Sequence, residues 1–414
     1  MYNSFLAKIK RNKMRLKLKL FIYLLLFLLS FSLFSQSAKD ILSDISSMSL
    51  EEKAYQVMMI NISTSKKTLS SIEKEFSKGI PGAILLFKQN LEQDPRAMRE
   101  SIESIKCSFR AIAEEKKLKN ISPLIALDNE GGSVFRTSSL TTYLPSARKM
   151  ASQFSVAEAE SLFYLVAQQM KMLGIDFNLA PVAECATDIN STFLADRTFS
   201  SSMKLTVEFA NAFVRAMNKA AILCSIKHFP GNGNEDPHGA SPTLRCSRQE
   251  FDAVYLLPFK KIIDEGHPLL SILLSHVTFP VIEKVPFSLS KKGVNRLVRK
   301  DLGFSSLVLT DDIAMAALKN NVSSSDNAIL ALEAGVDMIM CSERRVGYII
   351  DAIVKKAMSD KEFEKRLNEA VFNIIKVKND IMVMESKNGG NVSFDEKLFY
   401  ELKQKGDAIV KTVE

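Results

Sequence analysis

The stretch IKHFPGNGNEDPHGASP, residues 226–242, gathers Lys227, His228, Asp236 and His238 in a chain with only four histidines. Asp236 and His238 are separated by one residue, and in extended backbone such a pair points to one side. A carboxylate held against one imidazole nitrogen fixes the tautomer and leaves the other nitrogen as an acid and base near neutral pH. Gly231 and Gly233 supply backbone freedom for a tight turn after His228, so that the segment folds back as a loop. Taken alone, D-P-H fits a solvated loop as well as a proton shuttle. Three further apolar runs end in similar chemistry. PLIAL leads into Asp128, Asn129 and Glu130, LLSILLSH ends in His276, and SLVLT leads into Asp311 and Asp312. Any one of these is equally a helix cap. Polar groups at the same end of four runs point to a site.

Bringing those ends together requires parallel strands. Eight short apolar runs, at 56–62, 83–87, 123–127, 175–181, 221–227, 269–276, 306–310 and 336–340, alternate with amphipathic segments. The latter, at 95–117, 155–173, 203–220, 249–265, 290–301 and 326–334, repeat apolar residues every three or four positions. The alternation predicts βαβ units, and eight strands favour an α/β fold with a single (β/α)8 TIM-type barrel over a doubly wound open sheet. Function in such a barrel collects on the loops after the C-terminal strand ends, where these polar residues fall. A helical stretch at 360–383 and the break SKNGGNVS precede a short helical tail. The domain boundaries are therefore drawn at 1–37, 38–385 and 386–414.

The 414 residues are 46% hydrophobic, enough for a large core. A formal charge of +8 suggests an anionic partner, but seven basic residues and no acid lie within residues 1–19, and the remainder is close to neutral. Nucleic acid is therefore not an expected partner. The basic head runs into LFIYLLLFLLSFSLFS and then QSAKD, the order of an export signal. The protein is expected to be exported, periplasmic or extracellular, with membrane contact only through this segment; if uncleaved, residues 18–35 would tether it. Five scattered cysteines form no C-x-x-C pair, and there is no H-E-x-x-H or nucleotide-binding glycine motif. Neither a metal nor an organic cofactor is expected, and the oligomeric state stays open.

Over about residues 45–385 the chain resembles glycoside hydrolase family 3, in its compact bacterial β-N-acetylglucosaminidase branch. KHFPGNGNEDPH is similar to that branch's K-H-F-P-G-H-G-D followed by D-S-H, and DNEGGSVFR to D-Q-E-G-G-R-V-x-R. DFNLAPVAE resembles NFAPVLD, RTFS resembles R-[AS]-F-[GS], TDDIAM resembles SDDLSM, and SLEEKAYQVMM resembles the family's start. The resemblance implies a retaining exo-β-N-acetylglucosaminidase that removes terminal β-linked GlcNAc from peptidoglycan fragments or chito-oligosaccharides through a covalent glycosyl-enzyme. By the same resemblance Asp311 is the nucleophile and Asp312 its structural neighbour. His238, paired with Asp236, takes the acid/base role that a second carboxyl group fills in most retaining enzymes. Asp128, Arg136, Arg197, Lys227 and His228 match positions that hold the sugar, Met315 lines the pocket floor, and His276 stands behind them.

The chain departs from the family's pattern at several of these places. Asn232 replaces a histidine, Asn234 and Glu184 replace aspartates, and Ser133 replaces an arginine. The stretch from His228 to His238 is also two residues shorter than the common form. A β-N-acetylglucosaminide phosphorylase, a β-glucosidase of the same family and a non-catalytic sugar-binding envelope protein are the alternative readings.

Overall fold

A computed structural model of the chain describes residues 38–62, 75–236, 239, 241–318, 322–343, 345–390 and 392–412. The export segment read in residues 1–37 and the expected acid/base His238 lie outside the described residues. The chain divides into two units. In the first, residues 38–47 form a helix. The second, Met48–Glu414, holds the barrel.

Its strands are β1 (Met58–Asn61), β2 (Ala83–Leu85), β3 (Leu124–Leu127), β4 (Phe177–Asn178), β5 (Leu223–Phe229), β6 (Leu270–Leu274), β7 (Val308–Thr310) and β8 (Ile339–Cys341). All pair in parallel, in the order β8-β1-β2-β3-β4-β5-β6-β7. Met59 stands opposite Met340 on one side and Ala83 on the other. A bridge between Leu309 and Met338, with the Thr310 N–H donating to the Met338 carbonyl at 3.1 Å, brings β7 to β8 and nearly closes the ring. The barrel expected from the eight runs is thus the one observed, each strand lying within or across the end of its run. The strands are buried almost throughout, because helices cover the outside while side chains fill the inside, and this is why they read as unbroken apolar runs.

The surrounding helices start and stop where local chemistry dictates. They include α1 (Leu50–Gln56), α2 (Pro95–Lys116), α3 (Val156–Leu173), α4 (Met203–Lys219), α5 (Ser324–Ala334), α6 (Gly347–Ser359), α7 (Lys361–Lys387) and α8 (Glu396–Lys411). Ser49 with Glu52, and Ser155 with Glu158, form reciprocal capping boxes at the starts of α1 and α3. Helical segments 248–263 and Lys292–Asp301 fill the outside between β5 and β7.

The C-terminal tail is docked. Helix α8 packs against α3, and Lys403 Nζ donates to the carbonyls of Leu140 and Thr141 at 3.0 and 2.6 Å. Thr142 Oγ1 donates to the Lys403 carbonyl at 3.2 Å.

Candidate active site

The site begins where β3 ends. Beyond Leu127 the chain folds into a hairpin, Asn129–Gly131 against Val134–Phe135. Gly131 has φ +106°, and a Cβ there would lie 2.4 Å from the Pro145 carbonyl oxygen, so the turn requires glycine. Fully buried Asn129 bolts this hairpin to β4. Its N–H donates to Asn178 Oδ1 at 3.0 Å, and Asn178 Nδ2 donates to its carbonyl at 3.2 Å. Asn129 Oδ1 also accepts from the Thr137 N–H and hydroxyl, both at 3.2 Å. The flanking Asp128 and Glu130 are thereby held at the barrel mouth.

Opposite them, at the end of β5, lies Lys227. Its ammonium is 2.6 Å from Asp128 Oδ1 and 2.6 Å from Glu130 Oε1, with 2% of the side chain exposed. Arg197 clasps Glu130 with both arms of its guanidinium, at 2.9 and 2.8 Å. Burial would raise the Glu130 carboxyl, but Lys227 and Arg197 hold it at about 2. Burial likewise works against the Lys227 ammonium, and Asp128 and Glu130 reverse this and raise its pKa. Two cations and two carboxylates thus alternate along one largely buried chain.

His228 is fixed from behind. Glu184, just past β4, accepts from the His228 backbone N–H at 3.1 Å, and its Oε1 is 2.8 Å from His228 Nδ1. The same carboxylate accepts from the Asn232 N–H at 2.6 Å and from Asn232 Nδ2 at 3.0 Å. The other face of the ring meets Arg197, whose Nη2 is 3.4 Å from His228 Nε2.

Asp311 immediately follows β7. Among the described residues no cation lies within ion-pair distance of it; the Asp312 N–H donates to its Oδ1 at 2.9 Å. Burial would raise its carboxyl, but His228, His276, that N–H and Lys227 hold it below the ordinary value. Asp311 is therefore an anion that no direct ion pair neutralises, the state a nucleophile needs. Asp312 points elsewhere, its Oδ1 accepting from the Ala314 and Ser342 N–H groups at 3.0 Å each, which fits the structural part expected of it. His276 is buried, with Nε2 3.1 Å from the Asp312 carbonyl and Nδ1 2.7 Å from Ser288 Oγ. A carbonyl can only accept, so Nε2 carries a proton, and burial lowers the ring's pKa.

Asp128, Arg136, Arg197, Lys227, His228, Asp311 and Met315 line one cavity of about 250 Å³. Seven of the nine residues given catalytic or sugar-binding roles from the sequence therefore converge. Asp236 lies on the exposed part of the loop after His228 and does not line the cavity. The glycines of that loop serve a purpose other than the one expected. Neither Gly231 nor Gly233 has a positive φ; a Cβ on Gly231 would sit 2.7 Å from the Tyr255 ring, and one on Gly233 would sit 3.1 Å from Leu244. Close packing, rather than an unusual turn, is what a side chain would meet at both positions. Glu130, Glu184 and Asn232 were not assigned from sequence. The available signal for the two glutamates was the one that found Asp311, a carboxylate just past a strand.

Three comparisons bear on this geometry. Residues 49–377 match the glycosyl hydrolase family 3 N-terminal domain. A beta-hexosaminidase of Methylococcus capsulatus (Bath) is 31% identical over 278 residues, covering 66% of this chain and 79% of that protein. One from Nitrosomonas eutropha is 29% identical over 282 residues, 66% and 77% of the two chains. Among solved structures, a glycoside hydrolase family 3 β-N-acetylglucosaminidase from Paenibacillus sp. FPU-7 superposes with a TM-score of 0.77 at 25% identity, over 89% of this chain and 68% of that one.

Proposed function

We propose, on the premise that this chain belongs to glycosyl hydrolase family 3, that it is a retaining exo-β-N-acetylglucosaminidase releasing terminal β-linked GlcNAc. The observation that carries the reading is the ionised Asp311 carboxylate in a small cavity whose walls offer sugar-binding groups. Arg136 Nε is buried there and has no hydrogen-bond partner among the described residues, so it has a donor left for a ligand oxygen. The cavity's floor includes the apolar Leu273 and Met340, and its size suits one sugar ring, which agrees with exo action.

In this mechanism Asp311 attacks the anomeric carbon while the departing oxygen takes a proton from His238. The resulting ester is then cleaved by water that His238, paired with Asp236, deprotonates. Asp128, Lys227, Arg197 and His228 orient the ring hydroxyls as positive charge develops at the anomeric centre. The basic and apolar N-terminal segment supports export, and an exported enzyme of this class fits peptidoglycan fragments or chito-oligosaccharides as substrates.

The reading is tested by hydrolysis of p-nitrophenyl β-GlcNAc and p-nitrophenyl β-glucoside with and without phosphate. Turnover of the GlcNAc substrate should fall on the order of 10⁴-fold in Asp311→Ala. His238→Ala should lose about 10²–10⁴-fold on poor leaving groups and much less on nitrophenolate, which departs without a proton. Acceleration by phosphate would move the assignment to a phosphorylase, and preference for the glucoside to a β-glucosidase. Silence of the folded chain on both sugars would leave a binding protein.

A further inference from the structure

Glu184 collects four hydrogen bonds, and every partner is a donor: the N–H groups of His228 and Asn232, Asn232 Nδ2 and His228 Nδ1. A carboxylate only accepts, so His228 Nδ1 carries a proton. An independent contact gives the same answer. Arg197 Nη2 stands 3.4 Å from His228 Nε2, and a guanidinium only donates, so Nε2 must carry the lone pair. The ring is thus pinned from both faces in one tautomer. That acceptor nitrogen belongs to a residue that lines the cavity together with Asp311.

We infer that Glu184 is a positioning residue that sets the His228 tautomer, so that Nε2 is an acceptor whose long contact with Arg197 a sugar hydroxyl replaces. The hydroxyl contact rests on the sugar-binding function proposed above; the tautomer does not. Asn232 is the second half of the same clamp. Through its N–H and side chain, Glu184 also fixes the start of the loop that runs on to Asp236. One carboxylate therefore couples the polarity of the sugar wall to the position of the loop. In this chain a glutamate and an asparagine meet at the two places where the related pattern has aspartate and histidine, and the two departures touch each other.

The test is nitrogen NMR of the full chain with ring-labelled histidine. The four histidines keep the spectrum simple, and His228 is assigned by its loss in His228→Gln. The expected spectrum has a protonated Nδ1 and an unprotonated Nε2 for His228; a protonated Nε2 overturns the inference without any variant. Glu184→Leu, which removes the acceptor at similar bulk, should release the tautomer and lower kcat/KM by up to about a hundredfold, the scale of a displaced contact near the reacting centre. Asn232→Ala should leave the tautomer unchanged. A fall in activity with Nδ1 still protonated in Glu184→Leu would reduce Glu184 to scaffolding. Saturating GlcNAc should shift the His228 Nε2 signal. Binding without that shift sinks the acceptor role, whereas no binding at all counts against the sugar function and leaves the tautomer assignment standing.

Discussion

Glu130 has 3% of its side chain exposed and lies between Lys227 and Arg197. Removing its charge leaves Lys227 with Asp128 alone and takes from Arg197 the carboxylate it clasps, and breaking a buried pair from one side typically costs about 3–5 kcal/mol. Glu130→Gln is therefore expected to destabilise the chain by that amount at neutral pH. The pH dependence has a definite sign. The folded carboxyl titrates at about 2 against an ordinary 4.5, so its stabilisation is complete above about pH 4.5 and is lost as pH falls towards 2. Urea unfolding of both chains across that range should show the gap closing in acid; a gap that does not move with pH would deny the charge its role. Asp128, Lys227, His228 and Asp311 were legible because each ends or directly follows an apolar run. Arg136, Arg197 and Met315 were legible only through the family motifs. The clamp at Glu184 was not, because it joins positions 44 and 48 residues apart, and such pairing leaves no local pattern.

The loop after β5 is held by its neighbours. Asn234 Oδ1 accepts from the Thr192 N–H at 2.8 Å, and its Nδ2 donates to the Asp188 carbonyl at 2.9 Å. Farther on, the Leu244 N–H and the Thr278 carbonyl meet at 2.9 Å. The rings of Phe229, Phe259, Phe287, Phe279, Phe251 and Tyr255 stack edge to face behind it. Asn234 is exposed, so Asn234→Ala should barely change the unfolding midpoint. It should still slow hydrolysis of poor leaving groups by up to about a hundredfold, because small displacements of a reacting group are costly. Comparing kcat on alkyl and nitrophenyl glycosides checks this: unchanged rates on both would mean the anchor does not govern the acid/base loop. The shortened loop was visible in the sequence. What holds it was not, since its partners come from the segments after β4 and β6.

The strands and most helices could be read from apolar periodicity, because a parallel barrel buries its strands on both faces and leaves its helices half wet. The tail was foreseen as a helical appendage, but not its docking, which brings Gly406 close against Thr142. Gly406 lies within α8, where glycine costs about 1 kcal/mol relative to alanine. Propensity alone therefore says that Gly406→Ala stabilises. A Cβ there would sit 2.5 Å from Thr142 Oγ1, so the substitution is expected to lower the melting temperature by several degrees. A rise would show that α8 can shift outward freely.

Docking also links α8 to the cavity wall. Lys403 holds the carbonyls of Leu140 and Thr141, Thr141 Oγ1 is 2.9 Å from Thr137 Oγ1, and Thr137 bonds to Asn129 between Asp128 and Glu130. Lys403 lies 262 positions after the Thr141 carbonyl it grips. A ribosome thus delivers the hairpin well before its brace. Until α8 emerges, the nascent barrel has its hairpin but not the helix that braces it.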